Sequence, residues 1–437
     1  MANTYLSRTF GAGGSPGTLT WTVSTWFKRS NLTGEHVFMS SYINSGKYVV
    51  LKINGNNKFE FRVYNSADQW RYTTTMKFMD TSAWYHLAIS FDSTQSTASE
   101  RVIIYINGER ITAFDASTTD GQNTNGDFNE AKLHTIGARN STDYFNGYMS
   151  DFNFIDGTRY AATDFGETDT TTGEWRIKDL ATLTYGTNGF RILQNGNTIT
   201  DQSANSNNWT SSGAGVTPTE DCPSDVFCTF NPLMVNYNSV LTTSNGNTTA
   251  TSNASAWQGI GGTLAVPPKT GKWYWEYGKF VGTQIFAGLV AGNTTAVDGT
   301  TLAHAGLGSI TYFQSGRKTV DNVGTESYFT AFSDSNGTDV VGVALDMTAG
   351  TYGEVQFYLN GSTTGAAVAL TSNFADQFVM PFVALNASPR SVSINTGNGY
   401  FGTTAVSSAG TNASGIGIFE YDVPTGYTAL STKGLNI

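Results

Sequence analysis

The stretch RVIIYINGER at residues 101–110 decides the fold of this chain, because EVQFYLNGST at residues 354–363 repeats its pattern. In both stretches an apolar run leads into Asn-Gly, a pair that favours a type I′ hairpin since both turn positions need positive φ. The strands that precede them carry Asp92 and Asp346, which lie 15 and 14 residues before the turn asparagines. This agreement in spacing and residue type predicts two copies of one antiparallel architecture.

The stretch KFEFRVY at residues 58–64 shows what kind of sheet to expect. Its apolar side chains alternate with Glu60 and Arg62, as in a strand with one face in a core and one face toward water. The composition agrees, since 13% of residues are aromatic, only 13% are charged, and Asn, Thr, Ser and Gly, which favour turns, replace charge. The sequence therefore predicts an all-β chain of sandwiches, each with two sheets packed face to face.

The length of 437 residues exceeds the about 250–300 residues at which a single core stops growing, so two domains are expected. We place one sandwich at residues 1–163 and the other at 229–437. Between them, residues 164–228 form a Thr/Gly/Asn-rich bridge. The bridge should be ordered and packed on one or both sandwiches, because it contains large residues that need burial, namely Trp175, Phe190, Ile192, Leu193 and Trp209.

Charge and hydropathy exclude several function classes. The net charge is −10 and no Lys/Arg cluster occurs, so we expect no nucleic-acid partner. No apolar run approaches the about 18 residues of a membrane span, and the N-terminal stretch has no signal-peptide pattern, so no membrane insertion is expected. Cys222 and Cys228 are expected to be reduced thiols, because the sequence shows no secretion signal, although a disulfide between them is sterically possible.

Several stretches resemble known families. The first half resembles the laminin-G-like or concanavalin A-like domains of tailed-phage virion proteins of the marine or cyanophage type, through residues 26–30 (WFKRS), 84–88 (WYHLA) and 136–157. Residues 200–210 and 225–233 are similar to the connector that follows such domains in those phage proteins.

The second half resembles a SPRY domain. The similarity lies in GKWYWEYGKF at residues 271–280, in FAGLVAG at residues 286–292, and in the GVALDM and YLNG pair. The closing stretch at residues 421–437 resembles the ending of the same phage proteins. The two resemblances together imply two tandem concanavalin A-like, jelly-roll β-sandwiches.

The resemblance also implies a function. It implies a non-catalytic virion structural protein, assembled in the bacterial host cytoplasm and displayed in several copies on a tail fibre or appendage. There it would contact other virion proteins and, through its lectin-like domains, host surface glycans. A capsid decoration or head-fibre protein that binds only the virion shell is one alternative, and a glycanase that cleaves polysaccharide is another.

A glycanase needs two carboxyl groups across the scissile bond. The E-x-D-x-x-E pattern of glucanases with this fold is missing from the sequence, and Glu167, Asp169 and Glu174 fall in the bridge, where solvated loop carboxylates are expected. We therefore expect no catalytic residues. The histidines are not spaced as metal ligands, and they are His36, His86, His134 and His304.

A loop rich in oxygen ligands makes calcium a possible cofactor. The stretch DASTTDGQNTNGDFNE at residues 115–130 is dense in side chains that a hard cation accepts. Its spacing does not fit the D-x-[DN]-x-[DN]-G pattern, and Asp, Asn and Gly are also ordinary turn formers. The candidate ligands are Asp115, Asp120, Asn123, Asn125 and Asp127.

Sugar binding without a metal needs an exposed aromatic ring with polar groups beside it. Trp70 and Tyr72, next to Gln69 and Arg71, have that composition, and so does Trp209 after two asparagines. The alternative is that these rings fill the cores, as aromatic side chains usually do. In GKWYWEYGKF, the alternation predicts a core stripe of Trp273, Trp275 and Tyr277.

Overall fold

The computed structural model describes residues 4–12, 17–178, 183–194, 198–213, 215–235, 242–252, 255–293, 308–321, 323–333, 337–386 and 389–436. The chain divides into two compact units, Met1–Pro218 and Thr219–Ile437. Nearly all of the helix and strand structure in both units is strand, which confirms the predicted all-β fold. No helix in these ranges is long and apolar enough to cross a membrane.

The first unit contains sixteen strands and two short 3-10 helices within the described ranges. The strands are β1 Tyr5–Thr9, β2 Thr20–Arg29, β3 His36–Asn44, β4 Lys47–Ile53, β5 Lys58–Asn65, β6 Asp68–Lys77, β7 Tyr85–Asp92, β8 Val102–Ile106, β9 Glu109–Arg110, β10 Phe114–Thr118, β11 Leu133–Ile136, β12 Gly147–Asp156, β13 Gly166–Thr168, β14 Trp175–Ile177, β15 Phe190–Ile192 and β16 Thr210–Ser212. The helices are η1 Ala98–Glu100 and η2 Ala162–Asp164.

Two antiparallel sheets form the sandwich of the first unit. The eight-stranded sheet has the order β10-β6-β5-β4-β3-β11-β1-β16, and the six-stranded sheet has the order β15-β12-β2-β7-β8-β9. The inner faces meet in one apolar core, to which β5 contributes Phe59, Phe61 and Val63. These are the side chains that the alternation predicted, because a period of two places them on one face. A separate hairpin joins β13 to β14.

The predicted bridge is divided between the two units. Phe190–Ile192 pairs with β12 and Thr210–Ser212 pairs with β1, so both strands extend the sheets of the first unit. The unit boundary lies at Pro218, and Cys228 is buried in the core of the second unit. Phe190, Ile192, Leu193 and Trp209 are buried in the core of the first unit, whereas Trp175 is half-buried on the β13–β14 hairpin.

The second unit holds the remaining described strands and two further 3-10 helices. The strands are β17 Phe230–Val235, β18 Thr242–Ser244, β19 Thr249–Ser252, β20 Gln258–Gly262, β21 Lys272–Val281, β22 Ile285–Ala291, β23 Ser309–Phe313, β24 Lys318–Val320, β25 Val323–Thr325, β26 Val341–Asp346, β27 Glu354–Leu359, β28 Ser362–Thr363, β29 Val368–Ala369, β30 Val379–Leu385, β31 Arg390–Asn395, β32 Tyr400–Phe401, β33 Thr404–Ala405 and β34 Thr428–Ala429. The helices are η3 Ser372–Phe374 and η4 Gly434–Asn436.

Two sheets again pack face to face. One has the order β17-β20-β30-β22-β23-β24-β25, and the other has the order β18-β19-β31-β21-β26-β27-β28, with β29 beside β27 and β34 parallel to β21. Trp273, Trp275 and Tyr277 on β21 lie in the shared core, which confirms the predicted stripe. Cys222 is partly exposed, whereas Cys228 is buried.

The two Asn-Gly hairpins have the same geometry. Asn107 and Gly108 have φ values of 48° and 82°, and Asn360 and Gly361 have values of 51° and 78°. Both turns join antiparallel neighbours, β8 to β9 and β27 to β28. The predicted turn is therefore confirmed in each unit, since positive φ at both central residues defines type I′.

Candidate functional site

The predicted sugar-stacking residues on β6 are core residues, which corrects that prediction. Trp70 is fully buried and Tyr72 is 5% exposed. Their partners across the sheet are Val63 and Phe61, both in the core, because Trp70 and Tyr72 share the inward face while Arg71 between them points outward. Neither ring is available to a sugar.

Trp209 is likewise buried, at 4% exposure. Its ring packs against Phe190 with centroids 4.9 Å apart and against Phe10 at 6.1 Å. The polar residues before it shape the loop, since Asp201 Oδ2 accepts a hydrogen bond from the backbone nitrogen of Asn207 at 2.8 Å. This segment is therefore a structural part of the first sandwich, and the prediction of a sugar plate at Trp209 is wrong.

The candidate calcium ligands are engaged locally instead of converging on one point. Asp115 forms an ion pair with Lys58, and Asp120 Oδ1 accepts from the backbone nitrogen of Gly121 at 2.7 Å. These two carboxylates serve a strand contact and a turn. The loop therefore uses its oxygen atoms to replace backbone hydrogen bonds, as Asp and Asn commonly do in turns.

The other three candidate ligands lie in the turns of the same loop. Asn123 and Asp127 adopt positive φ, and Asn125 Oδ1 accepts from the backbone nitrogen of Asp127 at 2.8 Å. One oxygen, Asp127 Oδ2, is buried and accepts no hydrogen bond, but a calcium ion needs six to eight oxygen ligands. In the described ranges, no group of three or more His, Cys, Asp or Glu side chains is placed to hold a metal ion.

A different surface has the features of a binding site, on the outer face of the eight-stranded sheet. Tyr42 on β3 pairs with Tyr48 on β4, and Tyr48 pairs with Tyr64 on β5. The rings are stacked, with centroids 6.3 Å and then 5.3 Å apart. They pack with Val37 and Val50 in a small cluster separate from the main core. Tyr42 and Tyr64 are half-buried, whereas Tyr48 between them is 9% exposed.

Two guanidinium groups hold the middle of this row. The Arg62 guanidinium lies 4.8 Å from the ring centroid of Tyr64 and 5.8 Å from that of Tyr48. Arg139 lies 5.4 Å from the ring centroid of Tyr48. Cation–π attraction at these distances fixes the Tyr48 ring, and burial raises the pKa of its hydroxyl.

A chain of ion pairs crosses the same face. Four cations and four carboxylates alternate in sign, so the charges of the chain sum to zero. Its links are Asp143–Arg139 at 2.6 Å, Arg139–Glu35 at 3.3 Å, Glu35–Lys52 at 2.6 Å, Lys52–Glu60 at 3.4 Å, Glu60–Arg71 at 3.1 Å, Arg71–Asp68 at 3.5 Å and Asp68–Arg62 at 2.6 Å. We call the tyrosine row and these eight residues the tyrosine face.

Glu60 lies at the centre of the tyrosine face and is only 3% exposed. Burial by itself raises the pKa of this carboxyl group, but Lys52, Arg71 and a hydrogen bond from Thr73 outweigh it, so the pKa is lowered. Glu60 is therefore a fixed anion at neutral pH. A general acid needs a raised pKa, so this carboxylate is unsuited to donating a proton, and it holds the cations Lys52 and Arg71 beside it.

A buried serine and histidine pair lies on the outer face of the six-stranded sheet. Ser24 Oγ is 2.8 Å from His86 Nε2, and Trp175 Nε1 donates to His86 Nδ1 at 3.1 Å. Because the indole N–H can only donate, Nδ1 is an acceptor and the imidazole proton lies on Nε2, where it is donated to Ser24. His86 cannot take the serine proton in this arrangement, and burial lowers its pKa to about 3.

The other described histidines are buried, and the three candidate carboxylates of the predicted bridge lie on an exposed hairpin. Burial lowers the pKa of His36 to about 4 and that of His134 to about 3, and His304 lies outside the described residues. On the exposed β13–β14 hairpin, Glu167 and Asp169 form ion pairs with Arg176, and Glu174 is exposed. Glu167 and Asp169 are thus paired surface groups, and Glu174 is exposed to solvent.

The second unit buries a carboxylate that the sequence analysis did not single out. Glu276 on β21 is fully buried and accepts hydrogen bonds from Tyr274 Oη, from Asn395 Nδ2, and from the backbone nitrogens of Glu420 and Tyr421, at 2.9 to 3.3 Å. Burial raises its pKa to about 7. These contacts fasten the C-terminal segment onto the outer face of the sheet, beside an apolar cluster that includes Phe419.

Sequence reasoning missed the tyrosine face, although a signal was present. The alternation in KFEFRVY already placed Arg62 and Tyr64 on the face opposite the core. Tyr42 and Tyr48 flank the short turn of the preceding hairpin, so pairing β3 with β4 would have aligned them. The register between three strands, which brings the rings together, required the tertiary structure.

Comparison with known families agrees with this architecture. Residues 9–164 match the Laminin G 3 model, described as the Concanavalin A-like lectin/glucanases superfamily, and residues 272–399 match the SPRY domain model. The first unit thus contains a concanavalin A-like domain and the second a SPRY domain. A lectin-like fold and a SPRY domain together indicate a protein that binds carbohydrate or protein. No curated protein matches the chain.

Three solved structures illustrate the similarity. The SPRY domain of human HERC1 is 18% identical, with a TM-score of 0.30, over 38% of this chain and 96% of that one. A human SPRY domain is 17% identical, with a TM-score of 0.26, over 35% of this chain and 93% of that one. The third structure is domain 4 of AbnA, a GH43 extracellular arabinanase from Geobacillus stearothermophilus, in complex with arabinotriose. It is 18% identical, with a TM-score of 0.25, over 32% of this chain and 63% of that one.

Proposed function

We propose that this chain is a non-catalytic binding protein whose first unit holds a glycan on the tyrosine face. The observation that carries the proposal is the row of Tyr42, Tyr48 and Tyr64 beside a network of ionised groups. Sugar rings present an apolar face and a rim of hydroxyl groups. A site for them therefore combines aromatic rings with a few well-placed hydrogen-bonding groups.

The two ends of the row supply the stacking surface. Tyr42 and Tyr64 are half-buried, so each is held by the sheet and still exposes part of its ring. Asp68 and Arg62, next to Tyr64, have side chains that are 25% and 24% exposed. Their charged groups can accept and donate hydrogen bonds to sugar hydroxyls, and such charge-assisted bonds are stronger than neutral ones.

A glycan array printed with bacterial envelope sugars tests this proposal, with and without calcium. We expect binding that Tyr42→Ala and Tyr64→Ala each weaken about tenfold, the loss that corresponds to one stacked ring. Tyr105→Ala is the matched control, since Tyr105 is half-buried on β8 in the other sheet of the same unit. Unchanged binding in both face variants, or equal loss in the control, would contradict the site.

A glycanase is the competing function for the same fold. Its general acid would need a carboxyl group that is protonated near neutral pH, whereas the pKa of Glu60 on the tyrosine face is lowered by its cationic neighbours. This favours binding over cleavage. Incubation with envelope polysaccharide should release no new reducing ends, and sustained release by the purified protein would overturn the non-catalytic part of the proposal.

We further propose that the protein is a virion component, displayed on a tail fibre or appendage of a bacteriophage. The support is the resemblance of residues 136–157 and of the closing stretch at 421–437 to phage virion proteins. Several copies attached to other virion proteins would raise a weak glycan contact to useful affinity. Antibody labelling of particles should mark fibre tips, whereas labelling over the capsid would support the decoration alternative, in which no host ligand is bound.

A further inference from the structure

We propose that the tyrosine face selects uncharged glycans and disfavours sulfated or uronic-acid polysaccharides. This inference rests on the proposed glycan-binding function and specifies its ligand class. It follows from how the charges of the face are already paired.

Each cation of the face already has a carboxylate partner. Within the described residues, Arg62 lies 2.6 Å from Asp68, Lys52 lies 2.6 Å from Glu35, and Arg71 lies 3.1 Å from Glu60. The fourth cation, Arg139, is also paired. An anionic ligand would have to displace one of these carboxylates or approach beside it.

Displacement is costly because the centre of the network is shielded from water. The side chains of Lys52 and Glu60 are only 5% and 4% exposed. Removing a partner from a buried ion pair leaves a charge without compensation, which is far more costly than breaking an exposed pair. A ligand anion would also face the displaced carboxylate at short range.

Neutral hydroxyl groups do not meet this obstacle. The side chains of Glu35, Asp68 and Arg71 are between 25% and 36% exposed, so their outer atoms are accessible. A carboxylate oxygen can accept a second hydrogen bond, and a hydroxyl can donate to it without breaking the ion pair. The net charge of −10 adds long-range repulsion of polyanions.

Asp68→Asn tests the inference by opening the network. The variant removes one negative charge between Arg62 and Arg71 and keeps a side chain of the same shape. Asp376→Asn is the matched control, because it changes the net charge equally and frees Lys269 in the second unit. Binding is titrated with dextran and mannan as neutral probes, and with heparin and alginate as polyanions.

For the wild-type protein we expect binding to a neutral probe that changes little between about 0.1 M and about 1 M salt, over which the Debye length falls from about 10 Å to about 3 Å. Asp68→Asn should bind the polyanions about tenfold more tightly than the wild type at low salt, and should lose that gain at high salt. Asp376→Asn should bind the polyanions no more tightly than the wild type does.

The possible results separate the two proposals. Salt-dependent wild-type binding to heparin or alginate that Tyr64→Ala abolishes would overturn the selectivity and leave the tyrosine face as a glycan site. No gain of polyanion binding in folded Asp68→Asn would also overturn the selectivity. Binding to neither probe class, or neutral binding that Tyr64→Ala leaves intact, would contradict the proposed function itself.

Discussion

The indole ring of Trp175 packs directly on Gly108, so that a Cβ atom at that glycine would lie 2.5 Å from the ring. The same relationship occurs in the second unit, where a Cβ at Gly361 would lie 2.6 Å from the ring of Tyr421. In both units the glycine is the second residue of the Asn-Gly turn. The internal repeat thus extends beyond the hairpin to the aromatic residue that covers it.

Gly108→Ala should therefore destabilise the protein by about 2–4 kcal/mol, from a clash with Trp175 and from positive φ in a residue with a side chain. Gly34→Ala is the control, because Gly34 has φ of 79° and nothing within 4 Å of the added carbon, and it should lose only about 1–2 kcal/mol. Urea unfolding of the whole chain measures both. Equal losses of unfolding free energy in the two variants would show that the contact between Gly108 and Trp175 does not contribute to the destabilisation.

Trp209→Ala should destabilise the first unit by about 3–5 kcal/mol, since it removes a buried indole from between Phe10 and Phe190. At a temperature where the variant remains folded, its glycan affinity should equal that of the wild type. Thermal unfolding and glycan titration measure the two effects separately. Loss of binding with unchanged stability would show that Trp209 contacts the sugar after all.

Glu276 predicts a pH dependence of stability in the second unit. Its folded-state pKa of about 7 lies above the usual value of 4.5, so its stabilising contribution is complete below about pH 4.5 and is lost as the pH rises through 7. Relative to Glu276→Gln, the wild type should lose about 3 kcal/mol between those limits.

Denaturant unfolding across this pH range tests the Glu276 prediction. Glu326→Gln is the control, because the Glu326 side chain is 71% exposed and its replacement should leave the pH profile as in the wild type. A wild-type profile parallel to that of Glu276→Gln would mean that the four hydrogen bonds to Glu276 keep its pKa near the ordinary value.

Calcium should not change the melting temperature of the first unit. The loop at residues 115–130 directs its carboxylates and amides to Lys58 and to its own backbone, so no set of oxygen atoms is assembled for the ion. Differential scanning calorimetry with excess calcium and then with a chelator measures this. A rise in melting temperature that the chelator reverses, and that Asp127→Asn removes, would restore the calcium site.

Local patterns in the sequence were enough to predict β5, the two Asn-Gly hairpins and the core stripe of β21. These features depend on a period of two and on the φ values that Asn-Gly accepts, both of which are properties of neighbouring residues. The resemblance to known families added the class of each unit. The repeat of Asn107-Gly108 at Asn360-Gly361 was the main basis for predicting two copies of one antiparallel architecture.

The tertiary structure alone decided which aromatic residues are accessible. Trp70 and Tyr64 belong to adjacent strands of similar composition, yet one ring is in the core and the other is on the tyrosine face. Strand register makes this difference, because a shift of one residue exchanges the two faces of a sheet.

The burial of charge was also beyond the reach of local patterns. Alternation placed Glu60 on the face toward water, but Lys52 and Arg71 from neighbouring strands enclose it. Glu276 lies opposite the core stripe and is covered by residues about 144 positions later in the chain. The sequence by itself determined the strands and their turns, whereas contacts between distant segments determined which side chains meet water and which can meet a ligand.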